Sequence, residues 1–154
     1  MARSLVRPIL IATLIAGTLD ILAAVGLTLY YGGNPLNMLR YVASGPFTDA
    51  AKEWGIAGSI LGLAVHFALM AIMAVVFVFA ASRLRTLWQK PLLWGVLYGL
   101  ATYGVMNWVV VPLRFHKWPS PTSTVTQLFC HIVLVGIPIA LVAARHFRRQ
   151  AVLP

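Results

Sequence analysis

The stretch Ile56–Ala81, IAGSILGLAVHFALMAIMAVVFVFAA, decides the fold. It contains no Asp, Glu, Lys or Arg; the first charge after it is Arg83. It exceeds the roughly 20 apolar residues a helix needs to cross a hydrocarbon core. At helical spacing Ser59, Gly62, His66, Met70 and Met73 share one side, while Leu, Ile, Val and Phe fill the rest. The pattern predicts a membrane helix with one face that is small, polar and sulfur-bearing.

Working outward, three further apolar runs of comparable length appear. Together they predict helices at about 8–31, 54–82, 91–111 and 122–147. The expected fold is an all-α integral membrane four-helix bundle forming one membrane domain over 1–154. Composition points the same way: of 154 residues 60% are hydrophobic and 10% charged, against about a quarter charged in soluble domains. So short a chain has too little interior to hide that much apolar surface from water. The first run follows a basic start and has the look of a signal peptide, but it continues past Asp20 to Tyr31, too far for such an apolar core.

A net charge of +9 in a soluble protein would point to nucleic acid. Here the basic residues sit at the ends of apolar runs, so no nucleic-acid partner is expected and the lipid bilayer is the partner instead. Arg3 and Arg7 precede the first run, Arg83, Arg85 and Lys90 separate the second from the third, and Arg145, Arg148 and Arg149 follow the fourth. The remaining connections carry Arg40 and Lys52 beside Asp49 and Glu53, and then Arg114 and Lys117. The positive-inside rule places both termini and the middle connection in the cytoplasm.

Between the first two runs, Gly32-Gly33-Asn34-Pro35 breaks the first helix. Leu36–Ala43 is expected as a short outer interfacial helix, stopped by Ser44-Gly45-Pro46. Thr48 is the expected N-cap of the second membrane helix, Pro91 starts the third and Pro112 ends it. Thr122, Ser123 or Thr124 caps the fourth, which Pro138 should kink by freeing the Leu134 carbonyl. Gly58-x-x-x-Gly62 and Gly95-x-x-x-Gly99 are helix-packing pairs.

Asp20, His66 and His131 are the ionisable side chains well inside the runs, at similar depth by residue count. An ionised Asp at mid-bilayer is costly, so such residues face a partner or a cavity. A buried polar cluster of Asp20, His66, Asn107 and His131 is therefore expected, with Gln127 and Tyr103 as a possible extension. Three functions fit it. It can form a proton or small-ligand path. It can hold a cofactor, a haem between His66 and His131 or a metal with Asp20. It can also simply hydrogen-bond helices together. The chain has no HExxH, His-x-x-His or cysteine cluster, and Cys130 is a lone packing thiol. Ser120 to Thr126 lack a positioned base, and no catalytic carboxylate pair or phosphate-binding loop appears, so an enzyme is not expected. His116 and His146 are read as solvated interface residues.

The blocks AGTLDI around Asp20, LGLAVHF around His66, YGLATYGVMNWVVVPL around Asn107 and HIVLVGIPIAL around His131 resemble those of a family of uncharacterised small four-helix bacterial inner-membrane proteins. More distantly, the last three helices are similar to the YagU inner-membrane family, linked to acid tolerance. The resemblance implies a multi-pass protein of the bacterial inner membrane and adds no mechanism. The function expected is that of a small transport-like or accessory subunit; a haem- or metal-binding redox subunit and a non-catalytic scaffold of a larger complex stay open. So short a bundle leaves little room for a pathway, which favours a homo-oligomer or a larger membrane assembly.

Overall fold

The computed structural model describes residues 4–152, so Arg3 lies outside the described residues. All regular elements there are helical. They are α1 (Val6–Tyr30), α2 (Pro35–Phe47), a 3-10 turn (Asp49–Glu53), α3 (Gly55–Arg83) and α4 (Arg85–Gln89). The third long helix is α5 (Pro91–Gly104) continued by a π-helical stretch (Val105–Val110) and α6 (Val111–Phe115). The fourth is α7 (Pro121–Phe129), a second π stretch (Cys130–Gly136) and α8 (Ile137–Val152). Four helices are long and apolar enough to cross a membrane: Val6–Tyr30, Gly55–Arg83, Pro91–Phe115 and Pro121–Ala151.

The chain divides into two compact units, Met1–Asp20 with Met70–Pro154, and Ile21–Leu69. In the first, Ala12 and Ala16 of α1, Met70, Ala74, Phe77, Val78 and Ala81 of α3, Leu87 of α4 and Val135, Ile139, Ala140 and Ala143 of the fourth span form one core. Five of these buried positions sit in α3 about a turn apart, continuing the face that the sequence marks at Met70. So many alanines bring backbones close together, and dispersion across that contact supplies attraction where lipid removes the hydrophobic drive. Large side chains point outward instead: Leu14 is 60% exposed, Ile72 60% and Leu113 76%. Such apolar surface suits lipid, not water. Tyr98 locks α5 to α3, donating its hydroxyl to the Met73 carbonyl at 2.7 Å with its ring edge-on to Phe77. Arg148 of α8 donates to the Trp88 and Gln89 carbonyls at 3.2 and 2.9 Å, capping the end of α4, and Trp88 stacks on Phe147.

In the second unit, Gly32 at φ +71° ends α1 and the Asn34 side chain caps α2 by accepting from the Leu36 amide at 2.8 Å. Arg40 bonds Asn37 within α2. The start of α3 lies against α2. A Cβ on Gly62 would collide with the Leu39 backbone, one on Gly58 would sit 2.6 Å from the Ala51 carbonyl oxygen, and Ser59 donates to the Leu36 carbonyl at 3.0 Å.

Four local expectations are corrected. Helix α2 runs on through Gly45-Pro46 to Phe47: Pro46 stands one residue from the helix end, so its missing N–H costs a single bond, to the Val42 carbonyl, and leaves no further turn to disrupt. Thr48 does not cap α3: its φ is 69°, a 3-10 turn follows it, and α3 begins only at Gly55, whose φ is +54°. Pro112 does not end the third span, which reaches Phe115 before His116 turns left-handed at φ 53°. The fourth span is capped by Ser120, not by a residue between 122 and 124. Pro121 fixes the first helical φ, and the Ser120 and Ser123 side chains exchange bonds with each other's amides.

The two prolines inside spans share one geometry. Each π stretch ends two residues before its proline, and the intervening residue bonds five back: the Val111 amide to the Met106 carbonyl, and the Ile137 amide to the Ile132 carbonyl. A proline ring has no N–H and crowds the carbonyl four residues earlier. Widening the preceding turn by one residue relieves that crowding while keeping other amides bonded.

Candidate functional site

Asp20, Tyr103, Asn107, Gln127 and His131 all lie in the first unit. His131 is 8% exposed and sits at the second position of the π stretch Cys130–Gly136. Its Nδ1 lies 2.9 Å from the Gln127 carbonyl oxygen. A carbonyl only accepts, so Nδ1 carries the hydrogen of that bond, and in a neutral ring Nε2 is then the acceptor nitrogen. Tyr103 meets the ring edge-on, with centroids 5.9 Å apart, and its hydroxyl reaches the Thr124 hydroxyl at 3.3 Å. Asp20 is partly buried and acts electrostatically on both His131 and Cys130. The Tyr103 phenol and the Cys130 thiol thus flank His131 at a single turn of the fourth span, with the Asp20 carboxylate within electrostatic range of that turn.

The backbone makes this possible through glycine. A Cβ at Gly99 would stand 2.5 Å from both the His131 carbonyl oxygen and Ile132 Cα. One at Gly95 would lie 2.8 Å from Ile137 Cα, and one on Gly136 would strike the Gly95 carbonyl. The third span therefore presses directly on the backbone that carries His131.

Asn107 occupies the other π stretch and leans on its own helix, its amide 3.4 Å from the Tyr103 carbonyl. Gln127 joins the site through its carbonyl. His66 belongs to the second unit, where it is buried (7% exposed) with its ring edge-on to Phe67. Within either unit, among the described residues, no group of three or more His, Cys, Asp or Glu side chains is gathered as a metal site would require.

Thr124, Cys130 and Gly136 were not singled out for the site by sequence reasoning. A signal existed for part of it: Gln127 and His131 are four residues apart, the spacing at which a ring nitrogen can bond its own helix, and Pro138 follows about two turns after His131. Nothing in the sequence signals Thr124, whose role depends on where Tyr103 points. His146, expected in solvent, is half-buried and bonded to Gln150, with the two nitrogens 2.7 Å apart. No family model matches the chain, and comparison with curated proteins and with solved structures found no match.

Proposed function

We propose that the chain is a multi-pass protein of the bacterial inner membrane, with both termini cytoplasmic and α2 lying at the outer interface. We assign it the role of a small transport-like or accessory subunit, alone as a homo-oligomer or within a larger complex. Its working part in this reading is the Asp20–His131 pair, exchanging a proton or binding a small ligand inside the bilayer.

The observation that carries the reading is His131 itself. A packing histidine needs only its Nδ1 bond. This one also sits in a π turn, a geometry frequent at functional sites, and within electrostatic range of the Asp20 carboxylate. The titratable neighbours of the ring are Asp20, Cys130 and Tyr103.

Reconstitution in vesicles loaded with a pH-sensitive dye tests this. An imposed proton gradient should decay faster with the protein present. Asp20→Asn and His131→Gln should each return the rate to that of empty vesicles while leaving helical content unchanged. A wild-type rate equal to empty vesicles, or an Asp20→Asn variant as active as wild type, would remove proton exchange. A visible spectrum of the same sample would reveal a haem directly, and a reduced-minus-oxidised band lost in His131→Gln would replace this reading by a redox one.

A further inference from the structure

A cleft of about 460 Å³ opens between the start of α1 and the end of α8, both in the first unit. Its size falls in the range of about 300–1,000 Å³ usual for small-ligand sites. On α1 it is lined by Arg7, Pro8, Ile11 and Ile15, and on α8 by Val142, Arg145, His146, Arg149 and Gln150. The two helices run antiparallel here, so each contributes a ladder with the same polarity. Arg7, Ile11 and Ile15 recur every four residues, with charge at the helix end and aliphatic groups deeper. On α8, Val142 is deeper, Arg145 and His146 come next, and Arg149 and Gln150 lie at the end.

That ordering restricts the ligand. Among the described residues no acidic side chain lines the cleft, where Arg7, Arg145 and Arg149 bring three positive charges together. Arg7 also acts electrostatically on His146. Guanidinium groups match phosphate geometry with paired N–H donors. A soluble anion would use the rim and leave Ile11, Ile15 and Val142 without a role. A phospholipid uses both: its phosphate sits at the helix ends and an acyl chain runs along the aliphatic rows, roughly 12 Å from Arg7 to Ile15 along the helix. Basic pockets between membrane helices bind anionic headgroups in this way.

We propose that this cleft is a specific site for one anionic phospholipid, held by Arg7, Arg145 and Arg149 with its acyl chain against Ile11, Ile15 and Val142. The site is separate from the Asp20–His131 pair, and its test does not depend on that reading.

The test is native mass spectrometry of the detergent-purified protein titrated with phosphatidylglycerol or phosphatidylcholine. A one-to-one phosphatidylglycerol adduct is expected, with phosphatidylcholine bound far more weakly. Replacing Arg7, Arg145 and Arg149 together by Gln should weaken that adduct on the order of a hundredfold. Replacing Arg114 and Lys117 by Gln removes charge at the opposite end of the third span and should leave it unchanged. Ile15→Trp keeps every charge and should weaken binding by filling the cleft. Equal binding of both lipids, an adduct that survives the Arg7/Arg145/Arg149 variant, or indifference to Ile15→Trp would each overturn the proposal. Complete displacement by millimolar inorganic phosphate would also overturn it, in favour of a free-anion site. Helical content and elution volume confirm that each variant is folded, and Ile15→Trp on its own decides the case should the arginine variant not fold.

Discussion

Two buried polar side chains in this molecule have opposite bonding states, and the contrast yields a prediction. His131 has its Nδ1 bonded to a carbonyl of its own helix. Thr13, 8% exposed on the packed face of α1, has a hydroxyl with no hydrogen-bond partner among the described residues. Threonines inside membrane helices usually return that hydroxyl to the carbonyl four residues earlier. Thr28 does so, donating to the Ala24 carbonyl at 2.7 Å. An unsatisfied buried hydroxyl costs about 1–3 kcal/mol. Thr13→Val keeps the branched shape and removes that cost, so it should raise unfolding stability in mixed micelles by about 1 kcal/mol. The reverse result, a loss of stability, would mean that the hydroxyl holds a bound water in the membrane. Thr28→Val removes a made bond and should lower stability or leave it level.

At the scale of the element, the third and fourth spans meet backbone to backbone, and this makes their glycines unequal. Gly99→Ala puts a Cβ 2.5 Å from the His131 carbonyl oxygen and from Ile132 Cα. Neither atom belongs to a flexible side chain, so the helices must separate, at a cost of about 1–3 kcal/mol or more. Gly104 lies five residues on in the same helix and a Cβ there meets nothing within 4 Å. Gly104→Ala should therefore be neutral or gain up to about 1 kcal/mol from helix propensity. Thermal denaturation in detergent separates the two, and equal effects would contradict this packing. The sequence carries part of this element scale and hides the rest. Long apolar runs between basic ends give the four spans directly, because the bilayer imposes length and polarity on each one independently. The small face of α1 through Thr13, Ala16 and Gly17 is legible for the same reason, and it is the buried one. The π stretches are not legible. A proline at 112 or 138 says that one amide is missing, and whether the helix ends, kinks or widens depends on what presses on it from the next span. Pro112 therefore reads as a terminus in the sequence and as a continuation in the structure. Likewise Asp20 and His131 are both readable as buried polar groups. The reach of Asp20 toward His131 and Cys130, with Tyr103 and Thr124 alongside the histidine, depends on helix rotations that residue spacing does not encode.

For the whole molecule the open quantity is orientation, and the fold sharpens the sequence argument for it. Within the first unit, Arg148 bonds the Trp88 and Gln89 carbonyls, and Arg7 shares a cleft with Arg145 and Arg149. The basic start, the basic connection and the basic end of the chain therefore gather at one end of that unit. Arg114 and Lys117 lie at the opposite end of the Pro91–Phe115 helix, about 37 Å away at 1.5 Å per residue. Lysine and arginine bias close to membrane helices sets orientation because positive segments are retained on the cytoplasmic side. With the weight of positive charge at one end, that end should be cytoplasmic. Single cysteines in a Cys130→Ala background test this in right-side-out membrane vesicles with an impermeant maleimide. Lys117→Cys should react in sealed vesicles, whereas Ser4→Cys, Gln89→Cys and Ala151→Cys should react only after permeabilisation. The inverted pattern would leave the fold intact and reverse the orientation. Ser4→Cys and Ala151→Cys reacting from opposite sides would be incompatible with an even number of crossings. It would also be incompatible with the shared α1–α8 cleft, because both residues flank it.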